Sequence, residues 1–584
     1  MSYSNGNTDS HKRKATHSPS TPKKKAKRDS SRYKDSAQEE EYGIIDRQFY
    51  PPEMTNERCK QYISNEVERP LDTLSRAQAE TRSQRDQMPV KEAVVHWFKC
   101  DLRLLDNKAL HLASEKAKSK GVPLICIHVI SPQDYKAHMT SAVRVDFALR
   151  TLEVLKADLE ELDIPLYVET VEKRKAIPNR IFELCDKWGA SHVYTNIEYE
   201  VDELRREASI TREGAERGIA VEAVPDTCVV APGELSTGAG KQYAVYSPWF
   251  RAWISYLHSH PRQLKLFDPP GKNPSVARSA FKDLFNNQIP EAPENRTLTV
   301  DEQKRYRSLW PAGEHEARGR LNKFLKDKVE KYKDTRNFPA ANSTAMVSVH
   351  LSCGTLSART AVATARDHNS AQKLDAGNKG IIGWISEIGW RDFYKHVLAH
   401  WPYVCMNKPF KPEYTDIKWE YNNDLFQKWA NGQTGYPFID AAMRQLNYIG
   451  YMHNRARMAV ASFLAKDLLI DWRMGERYFM EHLIDGDFAS NNGGWGFSAS
   501  TGVDPQPYFR IFNPILQGEK FDEEGEYIRK WVPELAHVKG KAIHDPYGRG
   551  AKGVQGYPKM CVDHKESRGR ALARYKEGLG RDTA

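Results

Sequence analysis

No stretch of the 584 residues is apolar for long enough to span a bilayer, and no signal-peptide pattern opens the chain. The expectation is a soluble, intracellular protein with no membrane partner. Cysteine is sparse too: eight residues, scattered, with no CxxC pair and no His/Cys grouping at zinc spacing. That excludes a disulfide framework and a zinc module, and it points to reduced thiols and no metal. No GxGxxG follows the first β-branched apolar run, which excludes the usual dinucleotide fingerprint. Charge of one sign is also lacking. Lys and Arg number 87 against 77 Asp and Glu, so the net +10 favours a polyanionic partner only if it gathers on one surface.

What is present divides the chain. With 40% hydrophobic and 10% aromatic residues over this length, at least two cores are expected. Residues 1–90 read as a disordered basic tail, with short helices over Pro51–Gln87 as an alternative, because too few apolar residues offset the entropy of ordering. HKRK at His11–Lys14 and KKKAKR at Lys23–Arg28 read as a nuclear-import signal, a nucleic-acid-binding arm or a merely solvated tail. The nucleus is the expected location, with a mitochondrial pool left open.

From residue 91 to 225 short β-branched runs (Ala93–Phe98, Pro123–Ile130, Ile164–Thr170, Ser191–Asn196, Ala220–Val224) alternate with amphipathic pieces such as Val143–Leu162 and Asn179–Gly189. This predicts a Rossmann-like α/β domain with a parallel sheet covered on both faces. Residues 226–300 read as a connector with one amphipathic piece, Trp249–Leu257, that wraps across the first domain. Residues 301–555 are helical in period throughout and predict an all-α domain. The remainder, 556–584, reads as a basic helix capping the surface. A monomer is expected.

Three stretches carry candidate chemistry. Leu483–Trp495, LIDGDFASNNGGW, packs Asp485, Asp487, Asn491, Asn492, a Gly pair and Trp495 into a run whose composition favours a loop between buried helices. Such a loop suits a polar, planar ligand; a solvated turn is the alternative. In Gly383–Val397, Glu387, Trp390 and Arg391 share one helix face, as a site or as an exposed ion pair beside a core Trp. In Gly450–Leu464, Asn454 and Met458 share a face flanked by Arg455 and Arg457, a set suited to a nucleobase on its phosphate backbone.

The first strand runs into HWFKCDLRLLDNKAL (His96–Leu110), which closely resembles the opening of the photolyase–cryptochrome family, with Lys99 where Arg is usual. TGYPFIDAAMRQL, DLLIDW and GDFASNNGGW extend the resemblance from Trp97 to about Leu535. The chain is most similar to class I photolyases for cyclobutane pyrimidine dimers, of fungal type. The resemblance implies a light-driven lyase with FAD as cofactor and ultraviolet-damaged duplex DNA as partner.

Carried over by position, Tyr332 and Thr344–Ser348 (Thr344, Ala345, Met346, Val347, Ser348) would hold phosphate and ribitol. TAMVS is diverged there, so Ala345 and Met346 would offer only backbone. Trp384 and Arg391 would border the flavin, Arg457 would pair with Asp485 beneath it, and Gly486 and Asp487 would meet its polar edge. Asn491 would sit at N5. Glu387 and Asn454 would hold the edges of a flipped-out dimer, beside Trp390, Tyr394 and Met458. Arg336, Arg455 and Gln517 would hold phosphates or flanking nucleotides, and Phe497, where many relatives have an indole, would only stack. Trp495, Trp472 and Trp419 would carry electrons from the surface to the flavin. Asp202, Glu203 and Cys405 match positions near a 5,10-methenyltetrahydrofolate antenna, with Met406 where a Lys often stands. A deazaflavin or no antenna is the alternative.

Two rivals follow from the same resemblance. A cryptochrome-type photoreceptor would be marked by a long C-terminal signalling extension, and nothing after Leu535 resembles one. A (6-4) photolyase would carry histidines on the Arg455 helix, where this chain has Asn454 and Met458, with His453 one position off.

Overall fold

The computed structural model describes residues 39–46, 48–49 and 55–580. Residues 1–50 form a unit by themselves. Its described part is a helical turn at 39–41, closed where the Ile44 N–H donates to the Glu39 carbonyl at 2.8 Å. The basic clusters at His11–Lys14 and Lys23–Arg28 lie outside the described residues.

The second unit opens with two helices, α1 (Asn56–Ile63) and α2 (Pro70–Gln87), which corrects the reading of all of 1–90 as disordered tail in favour of its alternative, short helices over Pro51–Gln87. Thr55 caps α1 by accepting the Arg58 N–H, and Cys59 and Tyr62 enter the helical core. α2 starts with Pro at its first position, where the missing N–H costs nothing. It buries little besides Leu74, Ala77, Thr81 and Arg85, so its composition resembles a solvated tail.

Strands and helices then alternate: β1 (Ala93–Phe98), α3 (Lys108–Lys120), β2 (Leu124–Ile130), α4 (Ala142–Glu161), β3 (Leu166–Thr170), α5 (Ile177–Lys187), β4 (Ala190–Asn196), α6 (Val201–Arg217) and β5 (Ala220–Val224). The five strands form one parallel sheet in the order β3-β2-β1-β4-β5. Val94, Phe98, Phe147 and Leu152 pack on one face, and Val95, Trp97, Phe182 and Ile210 on the other. Burial on both faces is why the strand sequences are apolar without alternation. Strand order reverses between β1 and β4, so a crevice opens beyond the carboxyl ends of those two strands.

Neither edge of the sheet is left bare. On β5, the α2 side chains of Gln78 and Arg85 donate to the carbonyls of Ala223 (2.6 Å) and Val221 (3.4 Å). On β3, the Val168 N–H donates to the Asn287 side chain at 2.8 Å, a contact made by the 226–300 stretch. Capped edges cannot recruit a further strand.

The helical domain contributes α7 (Tyr246–Ser259), α8 (Lys379–His400), α9 (Asn454–Ser462), α10 (Trp472–His482), α11 (Phe488–Ala499), α12 (Pro514–Phe521) and α13 (His564–Gly578). A buried charge network joins it to the sheet. Arg359 donates to Asp106 at 2.8 Å and Asp226 at 2.6 Å, and Arg103 also pairs with Asp226. The DLRLLDN motif is therefore an interdomain joint. Among the described residues no helix is long and apolar enough to cross a membrane.

Candidate functional site

The crevice beyond β1 and β4 is a cavity of about 190 Å³. Trp97, Lys99, Cys100 and Asn196 line it from the strand ends, Glu203 and Arg206 from α6, and Arg391, Lys395, Asp487 and Phe488 from the helical domain. Lys99 lies between Glu207 and Glu198, and burial pushes the Glu207 carboxyl up to about 7. Of the three antenna candidates, Glu203 faces the cavity and is bonded to His138 and Arg174, each at 3.0 Å. Asp202 pairs with Arg174 at the surface, while Cys405 meets the Val201 N–H at the start of α6. Asp134, His138 and Glu203 also form a group with metal-ligand spacing, but the Arg174 guanidinium already pairs with both of its carboxylates.

α8 carries most of the second site along one stripe. Glu387, Arg391 and Lys395 follow one another at four-residue spacing. Glu387, about a third exposed, forms an ion pair with Arg336. The surrounding protein raises its carboxyl above the ordinary value against the pull of that guanidinium. Arg391 donates to the Thr227 carbonyl at 2.7 Å. Lys395, missed in the sequence, bridges Asp487 (2.6 Å) and Glu200 (3.3 Å), and its ammonium holds Asp487 well below the usual carboxylate range. The four-residue spacing from Arg391 was the available signal. Trp390 stacks on Tyr246 with centroids 3.6 Å apart and planes at 9°. Tyr246 opens α7 in a stretch read as mere connector, and no local pattern marked it. Trp384 is buried, and its ring lies 5.5 Å from that of Phe324, which also meets Tyr332.

Facing α8 are α9 and the run read from composition as a loop. That reading is corrected: Asp487 is an N-cap, accepting the Ser490 N–H, and residues 488–499 are helix α11. Its glycines serve contact. A Cβ on Gly493 would come within 2.2 Å of the Tyr394 ring. Gly494, the next residue, is exposed, and a Cβ there would meet nothing within 4 Å. It stands three residues on from Asn491, so both belong to the open face of an otherwise packed helix. The Asn491 amide nitrogen donates to the Glu476 carbonyl at 2.9 Å, which leaves the carbonyl oxygen as the end for a ligand. Asp485 is paired with Arg457 at 2.8 Å and accepts from Ser348 at 2.7 Å. In the 344–348 turn Ala345 and Val347 are buried, Met346 takes a left-handed φ of 52°, and the Thr344 hydroxyl is engaged by Tyr451. Open space beside α11, a carboxylate held by a guanidinium and an acceptor amide together fit the polar edge of a flavin.

Of the remaining candidates, the cations lie near one another. Arg455 donates to Asn337 at 2.7 Å and lies 4.5 Å over the Phe521 ring at the end of α12, linking the Arg336–Glu387 pair to the helix of Gln517. Asn454 is exposed at the start of α9, and Met458 and Phe497 are half-buried. The three tryptophans are less tightly grouped. Trp495 is buried, with rings of Phe479 at 5.1 Å and Trp429 at 6.0 Å. Trp472 opens α10, and Trp419 stands edge-on to Tyr575 at 5.9 Å.

Glu476 yields a pH prediction. It is 2% exposed, and burial pushes it up to about 7 against the Asn492 hydrogen bond of 2.8 Å. The folded state then holds the proton between about 4.5 and 7, so stability falls as pH rises through that window, by up to about 1.4 kcal/mol per unit. Glu476→Gln keeps the acceptor for Asn492. Its melting temperature relative to wild type is expected to climb from about pH 5 to about pH 8; a constant difference would exclude titration of Glu476.

Comparison with known proteins agrees with this arrangement. A model described as DNA photolyase matches residues 94–267, and one described as the FAD binding domain of DNA photolyase matches 384–577. The chain is 61% identical to the deoxyribodipyrimidine photo-lyase of Neurospora crassa, over 94% of this chain and 92% of that one. It is 39% identical to that of Escherichia coli K12, over 82% and 98%. A class III photolyase from Agrobacterium tumefaciens superimposes with a TM-score of 0.72 at 32% identity, covering 84% of this chain and 98% of that one. An archaeal photolyase from Sulfolobus tokodaii, solved with two FAD molecules, gives 0.64 at 30% identity over 83% and 100%. The chain belongs to the DNA photolyase family.

Proposed function

We infer that this protein is a light-driven DNA repair enzyme, a deoxyribodipyrimidine photo-lyase that splits cyclobutane pyrimidine dimers in ultraviolet-damaged duplex DNA. The observation that carries it is the open face of α11, with Asn491 and the Arg457-held Asp485, opposite the α8 stripe of Glu387, Trp390 and Arg391. FAD, when bound and reduced, supplies light-driven electron donation to the dimer and takes the electron back after the ring splits.

The protein's own work is orientation and proton control. Asp485 and Arg457 present one fixed carboxylate, Asp487 stays anionic beside Lys395, and the Asn491 amide oxygen would accept from a protonated flavin nitrogen. Trp495, Trp472 and Trp419 serve as the reduction path. A dimer is already poorly stacked, so extruding it from the duplex costs less than extruding normal bases. Glu387 holds its edge and Arg336 screens Glu387 until DNA arrives. Trp390, held flat by Tyr246, offers its half-buried ring to the dimer.

His453 favours this lesion over (6-4) photoproducts. It is buried, its Nδ1 accepts the Arg455 N–H at 3.1 Å, and burial pushes it down to about 4, so at neutral pH it is the uncharged imidazole and not the imidazolium acid. The antenna is 5,10-methenyltetrahydrofolate at the Glu203 end of the interdomain cavity, and a deazaflavin within the cavity is the second reading. The enzyme works as a monomer in the nucleus, the basic clusters serving import.

The primary test is repair of a thymine-dimer oligonucleotide by reduced protein: repair in light and none in darkness is expected, and light-independent or absent repair would overturn the reading. The absorption spectrum of the purified protein separates flavin, folate and deazaflavin bands. Glu387→Ala is expected to lower repair yield by tenfold or more, about 1.4 kcal/mol of transition-state stabilisation, with little loss of FAD. Parallel losses of yield and FAD would deny Glu387 its place at the lesion.

A further inference from the structure

α9 does not end in a normal turn. Residues Phe463–Asp467 continue it as a π-turn, in which the Leu468 N–H reaches back to the Phe463 carbonyl at 3.0 Å. Such wide turns in α-helices frequently mark functional sites, because they redirect side chains. The side chain redirected here is Lys466, which has no solvent exposure. Its ammonium donates to the Ser500 hydroxyl at 2.7 Å, to the Arg510 carbonyl at 3.2 Å and to the Tyr508 carbonyl at 3.4 Å. Ser500 ends α11 in a left-handed conformation, φ 67°, and residues 508 and 510 lie on the loop that follows.

Burying an ammonium is costly, and the usual compensation is a carboxylate. The neighbouring carboxylate is taken: Asp467 is bonded to His564 of α13 at 2.6 Å. Lys466 therefore directs its donors to uncharged acceptors, two of them backbone carbonyls of one loop, and burial pushes it down to about 7. A methionine would fill the same volume at less cost, so the ammonium is retained for what it holds.

What it holds is a loop beside the DNA-facing residues. The loop leaves α11 next to Phe497, whose carbonyl accepts the Gln506 N–H at 3.1 Å, and it enters α12, which carries Gln517. Asp504 pins its front by accepting the Tyr246 N–H at 3.0 Å. Between these anchors Phe509 is 59% exposed, and Arg510 beside it is also exposed. An exposed aromatic next to a cation suits an unstacked base and its phosphate.

We propose that Lys466 is a positioning residue for DNA recognition, its buried ammonium fixing the 501–513 loop so that Phe509 meets the strand beside the flipped-out lesion. The inference rests on the repair reading above. It adds an aromatic contact to the DNA outside the lesion pocket, and a buried group that sets it.

The test is a double-mutant cycle on FAD-loaded protein with a thymine-dimer duplex. Phe509→Ala is expected to weaken binding about tenfold, the usual scale of one stacked base. Lys466→Met is expected to weaken it similarly, while FAD content and repair at saturating DNA stay at wild-type level. The double variant should bind about as well as either single one, because the ammonium acts only through the loop. Ser500→Ala, which removes one acceptor, should give a smaller loss of the same kind, and it decides the matter if Lys466→Met fails to fold. Unchanged affinity in Phe509→Ala or Ser500→Ala, additive losses in the double variant, or losses that track FAD content would overturn the proposal. If wild-type protein neither binds nor repairs the dimer, the repair reading itself has failed.

Discussion

Arg457→Ala is expected to yield protein that retains almost no FAD and is less stable by about 2–4 kcal/mol. The Asp485 side chain is 2% exposed and its charge is met by the guanidinium and one hydroxyl. Removing the guanidinium leaves a buried anion with the Ser348 hydroxyl alone, and such uncompensated charges are among the largest single-residue penalties. The estimate sits at the lower side of the buried-pair range because the guanidinium is a quarter exposed. The same substitution removes the Met452 carbonyl contact of 2.7 Å, which orients the end of the loop before α9. Replacing both partners, Arg457→Met with Asp485→Leu, should restore most of the stability and none of the flavin. Flavin absorbance per chain and the urea midpoint measure the two effects separately. Full flavin occupancy in Arg457→Ala would remove this pair from the cofactor site.

Deleting residues 1–54 is expected to lower the melting temperature less than deleting 1–88, which should destabilise the protein by on the order of 5 kcal/mol and promote self-association. Tyr62 of α1 and Leu74 of α2 are buried to 2% and 0% exposure, and each such side chain contributes about 1.5–3 kcal/mol. The shorter deletion removes neither helix. The longer one also strips Gln78 and Arg85 from the β5 carbonyls, so the sheet presents an open edge. Thermal melts and light scattering of the two truncations distinguish a targeting tail from a structural strap; equal behaviour would refute the strap.

The α/β half was legible because burial on both faces writes itself as short runs rich in Val, Ile and other apolar residues, and two of the five strands agree with the sequence runs to the residue. α2 was legible only as an alternative to disorder for the opposite reason, since it docks through Gln and Arg side chains on backbone carbonyls, and polar residues of that kind also compose disordered tails. The 488–499 run misled through its glycines. Asn and Gly favour turns when nothing packs on them, but here Tyr394 requires the missing Cβ, and tertiary contact overrides propensity. Arg457 with Asp485 could be paired only through resemblance, as could Glu387 with Trp390 as a lesion contact. Tyr246 and Lys395 meet their partners across more than ninety residues, a relation that no local spacing encodes.

Gly475 has a consequence for speed. A Cβ at that position would lie 2.1 Å from the Trp495 indole, so the ring occupies space that a single methyl group would claim. Electron hopping slows exponentially with separation, whereas the splitting of a bound dimer does not use this ring. Gly475→Ala should therefore leave a chemically reduced enzyme competent and slow only its recovery after oxidation. The spacing at one glycine would then set how long the enzyme stays idle in air, independently of how well it repairs.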